Sequence, residues 1–122
     1  MWIQLHDFSN DEKDGVDIEQ AKQALTTFDW NSELSRCKQS DIESCDPGLG
    51  LVKDDGSILH ICPQGADSCY VHYHYPVSKK LLGFIPIQSQ ESHYVQSCSI
   101  ATATELIQNH FDGNQEQILK VK

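Results

Sequence analysis

Residues 48–62 read GLGLVKDDGSILHIC, and the way this stretch pairs with itself decides the fold. Two short apolar runs, 48–53 and 57–62, flank Asp54-Asp55-Gly56, a composition that favours the tight turn of a β-hairpin. A two-residue turn at Asp55-Gly56 would set Leu51 opposite His60 and mix apolar with polar side chains on both faces. A three-residue loop with Gly56 left-handed sets Leu51 opposite Leu59 and Leu49 opposite Ile61. That register gathers Leu49, Leu51, Leu59 and Ile61 on one face and puts Ile58, His60 and Cys62 on the other. A slip of one residue swaps every side chain's face, so burial of the apolar set selects the second register.

The same alternation continues beyond the hairpin. After a loop over 63–68, Cys69, Val71, Tyr73 and Tyr75 alternate with Tyr70, His72 and His74, which reads as a third strand over 69–75. Residues 81–88 give a fourth strand, where Pro86 marks an edge or a bulge because proline brings no amide donor. Residues 93–98 supply a fifth, and 2–8 read as a short strand with Ile3 and Leu5 on one face.

Two helices frame these strands. Asp17 and Gln20 form a capping box ahead of Ile18, Ala21, Ala24, Leu25 and Phe28, whose spacing predicts an amphipathic helix over 18–28. Thr102 with Glu105 opens a second helix, with Leu106, Ile107 and Phe111 as its apolar stripe and Gly113 as its stop. The polar stretch 9–15 reads as a loop. Residues 29–47 read as irregular, with room for a short helical turn and Trp30 as their anchor, and 115–121 as a weak strand returning to the sheet. The expected architecture is α+β in one domain spanning 1–122: a single antiparallel sheet of five to six strands with two main helices on one face. Alternation alone does not say which face the helices cover.

Charge narrows the function. The chain carries a formal net charge of −9, and its first 46 residues hold eleven acidic against four basic side chains, about −7. A lopsided negative field favours a basic partner and disfavours nucleic acid and anionic membrane. No apolar run approaches the ~18 residues of a membrane helix, and the opening residues lack the pattern of a secretory leader. Five cysteines, an odd number without a Cys-x-x-Cys pair, read as reduced thiols in a cytoplasmic protein; a Cys62–Cys69 bridge is disfavoured on the same ground.

The constellation closest to chemistry is His60-x-Cys62 beside Cys69-x-x-His72-x-His74. Imidazole and thiolate are good zinc ligands, but side chains on one strand face stand about 6–7 Å apart, and the spacing follows no zinc-finger pattern. The expectation is therefore a polar and aromatic surface with no metal, no cofactor and no enzymatic activity. A small metal- or thiol-dependent enzyme built on His60, Cys62, His72 and His74 is the alternative. Gly48-Leu-Gly50 lacks the third glycine and the following helix of a dinucleotide fingerprint, and no Gly-x-Ser-x-Gly, phosphate-binding loop or His-Glu-x-x-His occurs.

Partner contact is expected from two groups of residues. Asp41, Glu43 and Asp46 in the irregular segment and Asp54 and Asp55 in the hairpin turn supply charge. Tyr70, His72, His74 and His93 supply contact area. Asp11, Glu12, Asp14 and Glu19 fit either a solvated helix start or partner contact.

Three segments, GLGLVKDDGSILHI (48–61), LLGFIPI (81–87) and ATELIQNHFDGNQEQILKV (103–121), make the chain resemble the cytosolic immunity proteins of bacterial polymorphic-toxin and contact-dependent inhibition systems. Those are small acidic proteins, often α+β. The resemblance implies a protein that binds and neutralises a cognate toxin domain; the acidic balance of the chain adds a basic toxin surface, of the kind a toxin that acts on nucleic acid needs, and occlusion of its active site as the means.

Overall fold

The computed structural model describes residues 1–39, 45–65, 67–81, 83 and 85–122, with the side chains of 78–81 and 85–88 outside that description. Among the described residues lie six strands and four helices: β1 (Trp2–Gln4), β2 (Asn10–Glu12), α1 (Ile18–Thr27), α2 (Trp30–Gln39), β3 (Gly48–Val52), β4 (Ile58–Gly65), β5 (Ser68–Leu81), β6 (Ile85–Cys98), α3 (Ile100–Asp112) and α4 (Gln115–Lys120). The fold is α+β. The strands form one antiparallel sheet in the order β2-β1-β3-β4-β5-β6. No helix among the described residues is long and apolar enough to cross a membrane.

The β3–β4 hairpin adopts the register its apolar pattern demands, with Leu49 opposite Ile61 and Leu51 opposite Leu59. Its loop closes through Gly56 N–H donating to Lys53 O and Lys53 N–H to Ser57 O, with Gly56 at φ +90. Leu49, Leu51, Leu59, Ile61, Val71 and Val95 form the buried side of the sheet. They meet Ala21 and Leu25 of α1, Leu106 and Ile107 of α3, and Ile118 of α4 in one core. At ~25 cal/mol per Å² of apolar surface, a buried leucine or isoleucine stabilises the fold by about 1.5–3 kcal/mol. α1 packs on β3 and α3, α2 on β4, and α3 on β4 and β5. The helices thus cover the Leu49/Leu59 face. The capping box of α1 is present in full: Gln20 N–H donates to Asp17 Oδ1 at 2.8 Å, and Asp17 N–H to Gln20 Oε1 at 2.9 Å.

The structure departs from the sequence reading in five places. The first strand stops at Gln4, and part of the polar stretch after it becomes β2, an edge strand with every residue exposed. Such a strand forms through its backbone alone and carries no side-chain alternation. Residues 30–39 form a full helix. Trp30, Leu34 and Cys37 hold helical spacing, but a buried carboxylate, Glu33, interrupts the apolar stripe. Its start was encoded in Asp29, whose carboxylate accepts from Ser32 N–H and Ser32 Oγ.

The third departure is that the expected third, fourth and fifth strands are two continuous ones of 14 residues each. Pro76 does not break β5 because His74 is the last β5 residue paired with β4. Beyond it β5 and β6 form a two-stranded ribbon, and one side of β5 needs no donor there. Pro86 lies on β6, the sheet edge, as proline requires. Fourth, α3 begins at Ile100 rather than after Thr102. Ser99 takes the cap, accepting from Thr102 N–H, and Ile100 N–H donates to Asp67 Oδ1. Gly113 ends the helix in the left-handed conformation, as expected. Fifth, 115–120 is a short helix that buries Ile118, not a strand. Among the described residues α2 and α4 therefore join the two main helices expected, α1 and α3.

Candidate functional site

The sheet face away from the helices carries a row of rings at one register. Trp2 pairs with Gly50, Gly50 with His60, His60 with His72, and His72 with Tyr94, so the row crosses β1, β3, β4, β5 and β6. Two glycines on β3 make it possible. A Cβ on Gly50 would stand 2.1 Å from Trp2 Cε2, and one on Gly48 2.6 Å from His60 Nε2. The rings of Trp2 and His60 therefore lie across bare backbone, with centroids 4.9 Å apart. His72 stacks on Tyr94 at 4.3 Å and contacts His74 at 3.8 Å, and Tyr70 approaches Tyr94 at 6.4 Å.

Of the residues expected to make contact, Tyr70, His72 and His74 are brought together here. His93 is not: it sits opposite Tyr73 on the covered side, its Nε2 2.6 Å from Val121 O, and it fastens the chain's tail. Asp46 and Asp54 are exposed. Asp55 is also exposed, and it accepts from Ser57 N–H at 2.8 Å and from Ser57 Oγ at 2.6 Å. These bonds hold its carboxyl below the usual value and give it a turn-shaping role. Asp41 and Glu43 lie outside the described residues.

His60, Cys62, His72 and His74 do share this face. Cys62 Sγ is 3.3 Å from His60 Nε2, and His74 Nδ1 is 2.8 Å from Ser92 Oγ. Burial, reinforced by His72 and His74, pushes His60 down to about 4, and burial lowers His72 as well. Burial, with Asp46 nearby, pushes the Cys62 thiol up to about 12. At neutral pH the pair is a neutral thiol beside a neutral imidazole rather than an activated thiolate. Among the described residues no three His, Cys, Asp or Glu side chains are grouped so as to hold a metal ion. Cys69 belongs to the core on the opposite face, so the Cys62–Cys69 bridge weighed from sequence does not form.

At the β1 end, the ring row runs into a groove of about 680 Å³. It exists because β1 begins pairing with β3 at Trp2↔Gly50, while β3 runs on to Val52 and into the hairpin loop. Its apolar lining includes Met1, Trp2, Val52 and Phe111, of which Val52 is 52% and Phe111 37% exposed. Glu12, Asp14 and Asp54 also line it, together with Lys53. His110 completes it from α3. This ring is 2% exposed, its Nε2 lies 3.0 Å from Leu51 O, and its Nδ1 has no partner among the described residues. Burial pushes His110 down to about 4, so it is neutral and donates from Nε2 to the carbonyl.

Sequence reasoning missed this groove because four separate segments build it, none with a local signature. The acidic run at 11–14 was the one visible sign. A further missed residue is Glu33, buried in α2. Burial raises its pKa, but bonds from His6 N–H (3.0 Å), His6 Nδ1 (2.5 Å) and Arg36 (2.9 Å) outweigh burial and hold it below the usual value.

No family model matches the chain, and no curated protein or solved structure matches it either.

Proposed function

We propose that this chain is a cytoplasmic immunity protein that captures a cognate toxin domain of basic surface and neutralises it by covering the toxin's active site. The observation that carries this reading is the segregation of charge on the folded sheet. Asp11, Glu12, Asp14, Asp17 and Glu19 are exposed on β2 and the start of α1, along one margin. β6, at the other margin, holds a single acidic residue, Glu91. The carboxylates of the acidic margin face water, where they act as a steering field for a cationic surface. Such fields act mainly on the rate of encounter and on the choice of partner. The adjoining face of rings supplies the low-entropy aromatic contact area that interfaces favour.

The test is co-expression of the chain with the product of the gene adjacent and upstream, followed by pull-down and stopped-flow association. Capture is expected, with the association rate falling about tenfold or more between about 50 mM and about 300 mM salt. Capture no better than that of an unrelated basic protein sinks the reading.

A further inference from the structure

We infer that the groove between Trp2, Val52 and Phe111 is an anchor site for one apolar side chain flanked by lysine or arginine on the surface of a protein partner. This rests on the reading of the chain as a capture protein for a basic partner, and it names where on the molecule that capture is centred.

Three observations converge on it. The first is shape. β1 starts opposite Gly50, two residues short of the end of β3 at Val52, and this leaves a notch of about 680 Å³, within the size range of sites that bind ligand groups. The second is its apolar surface. Val52 and Phe111 stand more than a third exposed here, beside the Trp2 ring. Apolar surface grouped in a concave site, rather than scattered singly, marks a place that a partner covers.

The third is the rim. Glu12 ends β2, Asp14 lies in the β2–α1 connection and Asp54 in the hairpin loop, roughly 40 residues later, and all three are exposed. Lys53 and the Met1 amine are the cations at the groove, and the amine is engaged, donating to Lys13 O at 3.0 Å. Asp11 and Asp17 flank the same connection. An apolar floor inside a carboxylate rim is complementary to a hydrophobic side chain with cationic neighbours, and it repels both an acidic peptide and a second copy of this chain, itself at −9.

The experiment titrates the ¹⁵N-labelled protein with two blocked tripeptides, acetyl-Arg-Phe-Arg-amide and acetyl-Glu-Phe-Glu-amide. The Arg peptide is expected to shift the Trp2 indole and the Val52 and Phe111 amide resonances saturably, while the Glu peptide leaves them in place. An Asp14→Asn/Asp54→Asn variant, altering two exposed side chains, is expected to bind the Arg peptide about fivefold more weakly at low salt. Its spectrum reports folding directly. Equal shifts from both peptides, no shift from either, or unchanged affinity in the variant each overturn the proposal. So does movement of the same resonances with protein concentration alone, which would assign the groove to a second copy. If the variant captures the toxin as tightly as the parent chain, the anchor site falls while the immunity reading stands. If the Arg peptide binds and no toxin is captured, the reverse holds.

Discussion

The indole of Trp2 lies on the backbone of Gly50, so close that a methyl group there would stand 2.1 Å from Cε2. No rotamer adjustment of a few tenths of an ångström relieves such an overlap, so the ring must leave. Gly50→Ala is expected to destabilise the fold by about 1–3 kcal/mol, the usual range for overpacking, and to shift the Trp2 fluorescence. Gly56→Ala meets no neighbour within 4 Å and strains only the turn, which makes it the control for a purely local backbone effect. Urea unfolding with fluorescence detection checks both. A Gly50→Ala protein as stable as the parent would contradict the contact.

Glu33 ties α2 to the chain leaving β1. Its side chain is 3% exposed, and bonds from His6 and Arg36 converge on it. Glu33→Ala leaves His6 N–H and the imidazole without their acceptor and is expected to cost about 3 kcal/mol. Because the folded carboxyl titrates below its unfolded value of 4.5, the stability it contributes is present above pH 4.5. That contribution is lost as pH falls further, through the folded pKa. Denaturant melts of parent and variant are expected to converge as the pH is lowered through that window.

His60 and His110 act at higher pH. Each has a folded pKa of about 4 against 6.5 unfolded, with burial the leading cause in both. The unfolded chain binds the proton more readily, so stability rises with pH across this interval. The full contribution is present above about pH 6.5, and it drains away as pH falls toward 4. It amounts to on the order of 2–3 kcal/mol per histidine. His60→Gln is expected to flatten the stability–pH curve between pH 4 and 6.5, measured by thermal or urea unfolding at a series of pH values.

Burial also sets thiol reactivity. Cys62 and Cys69, both pushed up to about 12, are neutral at pH 8 and shielded from solvent. They are expected to stay unlabelled by Ellman's reagent in the native protein and to react once it is unfolded. Peptide mapping after timed labelling distinguishes them from the other cysteines. Rapid native labelling of Cys62 would instead point to an activated thiol and revive the thiol-enzyme alternative.

What could be read from the sequence was whatever depends on side-chain burial within one segment. The register of β3 and β4 followed from four apolar residues that had to share a face, and the start of α1 from the reciprocal Asp17–Gln20 caps. What escaped depends on partners distant in the chain. β2 is held by hydrogen bonds to β1 and buries nothing, and α2 hides a carboxylate in its apolar stripe because His6, 27 residues earlier, neutralises the cost. The ring face was legible as a set of alternating residues, but His93, odd-numbered among even-numbered neighbours, belongs to the other side by strand parity. The groove was not legible, since Asp54 and Glu12 meet only in the folded molecule.

The sheet's two margins differ in a way that governs self-assembly. β2 is three residues long and carries Asp11 and Glu12, whereas β6 runs for 14 residues, and among the described residues no strand pairs with its outer side. Short length and like charge are the usual deterrents to edge-on stacking, and only the first margin has them. Of the sheet's two outermost strands, β6 is therefore the one open to an added strand. Two molecules meeting there present acidic borders outward in both directions, so stacking terminates at a closed couple instead of propagating into a fibre.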